Sequence, residues 1–301
     1  MTPLPIPAPR VEGFTATTAM PLYWCRYGSA GSPRLLVLHG GPGAHHDYLL
    51  PHFLDLADEF ELVFYDQRGG GRSRTDDPAA ITWQTHTDDL ERVAAELVPG
   101  PLTILGYSWG ALLALLYAIE GSAGTRLPSP SRMALVDPAP ISRAHRAVFE
   151  AEFARRAAAP AIQAMRAELA ASGLRESDPA AHKQRAFELS VAGYFHDPRR
   201  AADLTPFRVT GRVQTQVWES LGEFNLGPAL RSVTADTLIV HGREDPIPLA
   251  SSHEAAQALG ARLVVLDDCG HVPYVEQPTG LFRALRTFLR NASVNASAPA
   301  S

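Results

Sequence analysis

The chain has 301 residues, 46% of them hydrophobic and 20% charged. That is enough apolar material for one large domain or a domain with an insertion, and it excludes a globally disordered chain. A net charge of −5 leaves no basic footprint for nucleic acid, and no apolar run approaches the roughly 18 residues of a membrane span.

The N-terminus, Met1 to Arg10, alternates proline with small apolar residues. It lacks the charged start and continuous apolar stretch of a signal peptide, so a cytoplasmic protein is expected. Cys25 and Cys269 are the only cysteines, read as two free thiols in a reducing compartment. Leu22 to Tyr27 alternates in polarity and predicts an antiparallel edge strand. The runs 35–38, 62–65, 102–105, 133–136, 238–240 and 263–266 are continuously apolar. Strands buried on both faces read this way, and helical patterns at 83–98, 109–120, 249–259 and 278–290 separate them. Strands alternating with helices imply an α/β fold with a mostly parallel sheet and helices on both faces.

Residues 140–232 break that rhythm. Phe149, Phe153, Ile162, Met165, Leu169 and Leu174 recur near helical spacing, and Pro160 and Gly173 divide the stretch into short helices. The predicted organisation is a core of 1–139 and 233–291, a helical cap over 140–232, and a flexible tail over 292–301. Asn291-Ala-Ser and Asn295-Ala-Ser match the glycosylation pattern by chance, at the edge of that polar tail.

Gly106-Tyr107-Ser108-Trp109-Gly110 lies between an apolar strand and an apolar helix. That is the context of a nucleophile elbow, whose glycines permit a strained turn exposing the serine hydroxyl. A serine needs a base to take its proton and an acid to orient the base. Along an α/β-hydrolase chain these follow in the order Ser, Asp or Glu, His. His271 comes just after the run 263–266 and is the expected base. Asp245, just after 238–240, is the expected acid; Asp137 and Glu244 are rivals, while Asp267 and Asp268 lie too close to His271 in sequence. His39-Gly40-Gly41-Pro42-Gly43 follows the run 35–38. Its glycines can aim an N–H at a developing oxyanion, with Gly41 first choice, Gly40 the fallback and Trp109 N–H the second donor. His39 is read as a prop for that loop. The segment lacks the spacing and lysine of a phosphate-binding loop. On physics alone, Asp66-Gln67-Arg68-Gly69-Gly70-Gly71-Arg72-Ser73 reads as a solvated turn. The reaction expected is acyl transfer to water with no metal or cofactor.

Together these segments resemble the prolyl aminopeptidase (proline iminopeptidase) family of α/β-hydrolases, with its HGGPG loop, DQRGxGRS segment and serine elbow. The resemblance covers roughly 20–290. It implies release of N-terminal proline from short peptides or amides by Ser108, Asp245 and His271. It also implies a cap carboxylate that reads the substrate's free amine. Glu223, in Gly222-Glu223-Phe224, matches that role, and Glu219 lies one helical turn away. The chain departs from the family at Tyr107, where glycine is usual, and at Pro246, where some relatives carry a second acid. An esterase, lactonase or amidase on the same triad is the alternative, and a ligand-binding protein without turnover is the third reading.

Overall fold

The computed structural model describes residues 5–75, 81–126 and 128–295. Much of the predicted tail, from 296, lies outside them. The core is an eight-stranded sheet. In chain order its elements are β1 (Val11–Phe14), β2 (Tyr23–Tyr27), β3 (Arg34–Leu38), β4 (Glu61–Tyr65), α1 (Trp83–Leu97), β5 (Leu102–Tyr107), α2 (Trp109–Ser122) and β6 (Pro130–Val136). Six helices follow: α3 (Arg143–Ala157), α4 (Pro160–Ala171), α5 (Leu174–Ser177), α6 (Pro179–Val191), α7 (Gly211–Leu221) and α8 (Gly227–Leu230). The sheet then resumes with β7 (Asp236–Gly242), α9 (Leu249–Leu259), β8 (Arg262–Leu266), α10 (Pro273–Glu276) and α11 (Pro278–Asn295).

Strand order is β1-β2-β4-β3-β5-β6-β7-β8. The first two pairings are antiparallel and all later ones parallel. This corrects one expectation: β2 is antiparallel but not an edge, because β1 covers it. β1 escapes sequence reading because its four residues are largely exposed and one is glycine, so no face is marked by apolar alternation.

The continuous apolar strands have the cause expected of them. Leu36 and Leu38 of β3 face one core with α1 and α2, while Leu35 and Val37 face the other with α11. Successive side chains point to opposite faces, so a strand sandwiched between helix layers needs apolar residues at every position. α2 is buried from Trp109 to Ala118, and each of its leucines contributes about 1.5–3 kcal/mol by leaving water.

The helices between β6 and β7 start where the sequence punctuates them. Ser142 caps α3 by accepting from His145 N–H, Asp178 caps α6 by accepting from Ala181 N–H, and Pro160 and Pro179 open α4 and α6. The two ends of this helical segment are tied to each other. Arg143 N–H donates to Phe224 O at 2.8 Å and Leu226 N–H to Ile141 O at 2.9 Å. Glu223 is thereby held beside the start of α3. Ile162 and Met165 are buried as their spacing predicts. Phe149 and Phe153 instead pack against Tyr194 and line a cavity.

Candidate active site

Three loops at the carboxyl ends of parallel strands converge on one point. The turn after β5 holds Ser108 at φ 53°, ψ −118°, in a region where a Cβ is crowded and the residue is forced to project. Gly106 and Gly110 make the turn possible. A Cβ on Gly106 would lie 2.6 Å from Ala111 Cα, and one on Gly110 would lie 2.7 Å from His39 O. The loop after β8 delivers His271, whose Nε2 lies 2.9 Å from Ser108 Oγ. The loop after β7 delivers Asp245, whose Oδ2 lies 2.7 Å from His271 Nδ1. Asp245 Oδ1 accepts the Ile247 N–H at 2.7 Å, which fixes the carboxylate. The sequence-predicted acid, base and hydroxyl are therefore in one hydrogen-bonded line. Glu244 is turned away, accepting from Cys269 N–H.

The imidazole is clamped as well as hydrogen-bonded. Its ring lies between Tyr107 and Tyr194, with centroids 5.3 and 5.2 Å away. Tyr107 Oη donates to His271 O, and His271 N–H donates to Tyr194 O, both at 2.7 Å. Tyr107, the departure from glycine in the elbow, thus reaches across to hold His271. Burial pushes the His271 pKa down to about 4. The ring is neutral at neutral pH, as a proton acceptor must be.

The glycine loop flanks Ser108 on its other side. Gly40 spends its N–H on Tyr48 Oη at 2.6 Å, which removes the fallback oxyanion donor. Gly41 and Trp109 border the same cavity as Ser108. Trp109 is the first residue of α2, where an N–H has no intrahelical acceptor and the helix dipole favours negative charge.

The segment 66–73 is not a solvated turn. Asp66 and Gln67 are buried. Gln67 N–H donates to His39 Nε2 at 3.0 Å, its amide donates to His39 O at 2.8 Å, and its Oε1 accepts from Trp109 Nε1 at 2.8 Å. One side chain therefore ties the glycine loop to the elbow helix. His39 is the prop the sequence suggested. Asp66 Oδ1 accepts from His46 Nδ1 at 2.7 Å, and His46 Nε2 meets Cys25 Sγ at 3.2 Å. Burial opposes a charge on His46, but its hydrogen bonds to Asp66 and Cys25 outweigh that and raise its pKa to about 10. Arg68 forks onto Asp89 at 2.8 and 2.6 Å. The pattern carried a signal that composition hid: polar residues directly after a buried strand sit under the loops, not outside them.

Two cavities meet at Ser108 and His271. The larger, about 720 Å³, is bordered by α3 and α7 and includes Glu219 and Glu223. Both are exposed, and neither has an ion-pair partner among the described residues. Arg143 and Arg146 in the same wall are both paired with Glu150. The smaller, about 280 Å³, is walled by rings, among them Tyr48, Phe187, Phe207 and Tyr274.

Residues 35–284 match the alpha/beta hydrolase family, and the chain belongs to it. It is a hydrolase. Within that family it is 27% identical over 280 residues to the proline iminopeptidase of Lactobacillus delbrueckii subsp. lactis, covering 84% of this chain and 90% of that one. It is 38% identical over 115 residues to the proline iminopeptidase of Saccharolobus solfataricus, a match spanning only 36% of either chain. The crystal structure of a Mycobacterium smegmatis proline iminopeptidase superposes with a TM-score of 0.68 at 20% identity, over 95% of this chain and 100% of that one. At that identity the likeness speaks for the fold. Among the described residues no helix is long and apolar enough to cross a membrane.

Proposed function

We propose that this hydrolase is a serine enzyme that releases N-terminal proline from short peptides or amides. Ser108 Oγ attacks the scissile carbonyl while His271 Nε2 takes its proton. Asp245 holds the imidazole tautomer, and the amides of Gly41 and Trp109 receive the oxyanion, each worth about 3–4 kcal/mol in comparable sites. His271 then protonates the departing amine, and water, deprotonated by the same histidine, releases proline from the acyl-enzyme. The observation that carries the substrate reading is the pair of carboxylates, Glu219 and Glu223, which have no ion-pair partner among the described residues and border the cavity that opens on Ser108. A substrate ammonium there gains a charge-assisted hydrogen bond that sets how far the chain enters. The likeness to proline iminopeptidases supports the same reading.

Turnover of proline β-naphthylamide against its N-acetyl form tests the amine requirement. Only the free amine is expected to react, and Glu223→Gln is expected to lower kcat/KM for it by about 10- to 100-fold. Equal turnover of both forms removes the aminopeptidase reading. The exposure of Glu219 and Glu223 favours a second reading, an esterase or lactonase on the same triad, because solvent screens their pull on an ammonium. Brisk p-nitrophenyl ester cleavage with no prolyl turnover selects it.

The acid limb of activity follows from burial. A base acts only when neutral, and a lowered pKa keeps His271 neutral to lower pH. The acid limb of kcat/KM is expected below the ordinary imidazole value of 6.5, towards 4. A pH–rate profile with its acid midpoint at 7 or above contradicts this.

A further inference from the structure

The ends of β6 and β7 place a second acid behind Asp245. Asp137 follows β6, is fully buried, and has a φ of 42°, rare for a residue with a Cβ. Its Oδ1 accepts the Gly242 N–H at 2.8 Å. Its Oδ2 meets no donor. A carboxyl oxygen of Asp137 nevertheless lies within 4.8 Å of one of Asp245, and both side chains are fully buried. Two ionised carboxylates this close and shielded from water repel strongly, so one must hold a proton, and the oxygen without a donor is placed to carry it.

The surrounding groups leave that proton on Asp137. Asp245 already accepts from His271 and from Ile247 N–H, so its negative charge is satisfied. His241 lies nearby, with Nδ1 3.8 Å from Asp137 and Nε2 3.9 Å from Asp245. Its nitrogens are engaged by Ser252 Oγ at 2.9 Å and Ile247 O at 3.1 Å, and burial disfavours its charged form. The same engagements argue against a metal at Asp137, His241 and Asp245. Arg156 exerts only a lesser pull on Asp245, and its guanidinium donates to Glu244 O. An imidazolium on His271 thus balances one carboxylate charge and not two.

We infer that Asp137 is a positioning residue: it donates its carboxyl proton to Asp245, leaving Asp245 as the one negative charge that orients and balances His271. Burial, with the neighbouring Asp245 charge, raises the Asp137 pKa well above the carboxylate range, the direction this role requires. The inference rests on the Ser108–His271–Asp245 reading but not on proline specificity, so p-nitrophenyl acetate serves as substrate. Asp137→Asn keeps a donor for Asp245 and an acceptor for Gly242; Asp137→Val keeps neither. Asp137→Val is expected to lower kcat by about 10- to 100-fold with KM within about twofold, and Asp137→Asn to stay within about fivefold of the parent. Equal losses in the two variants, or a loss confined to KM, overturn the role. If Asp137→Val does not fold, infrared spectroscopy decides. A buried protonated-carboxyl C=O band at neutral pH is expected in the parent and lost in Asp137→Asn; its absence from the parent overturns the inference. Retention of activity by Ser108→Ala would instead sink the triad itself.

Discussion

Ser108→Ala is expected to lower kcat by about 10⁴- to 10⁶-fold on any substrate the enzyme turns over, with little change in stability. The side chain lost is a single hydroxyl, and its hydrogen bond to His271 is the link through which the base acts. The glycine loop, the Trp109 amide and both cavities remain, so the residual rate measures oxyanion stabilisation and binding alone. A fluorophosphonate is expected to label the parent and not the variant. Parent protein that fails to label, or a variant that keeps more than a few per cent of the rate, excludes Ser108 as nucleophile. Substrate KM should move far less than kcat, because the wall that carries Glu219 and Glu223 is built from other elements.

Gly110→Ala is the second large effect, and it acts through the fold. A Cβ at Gly110 would meet the backbone of β3 at its end, with Leu38 C at 2.6 Å and His39 O at 2.7 Å. Neither neighbour is a side chain that can swing aside. α2 must therefore lift from β3, which opens the contact between the elbow and the glycine loop and strains the buried run from Trp109 to Ala118. A loss of about 3 kcal/mol or more follows, or about 6–12 °C in Tm for a domain of this size. Gly211→Ala is the control: it adds a Cβ with nothing within 4 Å at the start of α7, and about 0.5 kcal/mol or less is expected either way. Equal melting temperatures for the two variants would remove the close-approach argument for the elbow glycine.

The strands legible in the sequence were those whose environment forces one kind of residue. β3 and β4 are buried on both faces, so they read as unbroken apolar runs. β1 has no such constraint and left no trace. The hydrogen-bonded line of Ser108, His271 and Asp245 was legible because the chemistry proposed for it fixes residue type, chain order and distance from a strand end. The supporting network was not. Asp66, Gln67 and His46 are polar residues in a glycine-rich stretch, and nothing local distinguishes a buried, fully bonded turn from a wet one; only the packing of three loops over the sheet edge does. Asp137 was visible as a rival acid, yet its relation to Asp245 depends on the pairing of β6 with β7, which places Val136 beside Val240. Tyr107 appeared only as a departure from glycine. Its bond to His271 O joins positions 164 apart in sequence.

On the proposed roles of Ser108 and His271, their spacing along the chain also sets the earliest point at which both are present. His271 comes 163 positions after Ser108, on the loop that follows β8, the last strand in chain order. A ribosome adds about 5–20 residues each second, so on the order of ten to thirty seconds pass between synthesis of the elbow and synthesis of the histidine. During that interval the nascent chain carries Ser108 without the histidine proposed as its base. The proposed chemistry therefore requires the segment that pairs β8 with β7 to have been made.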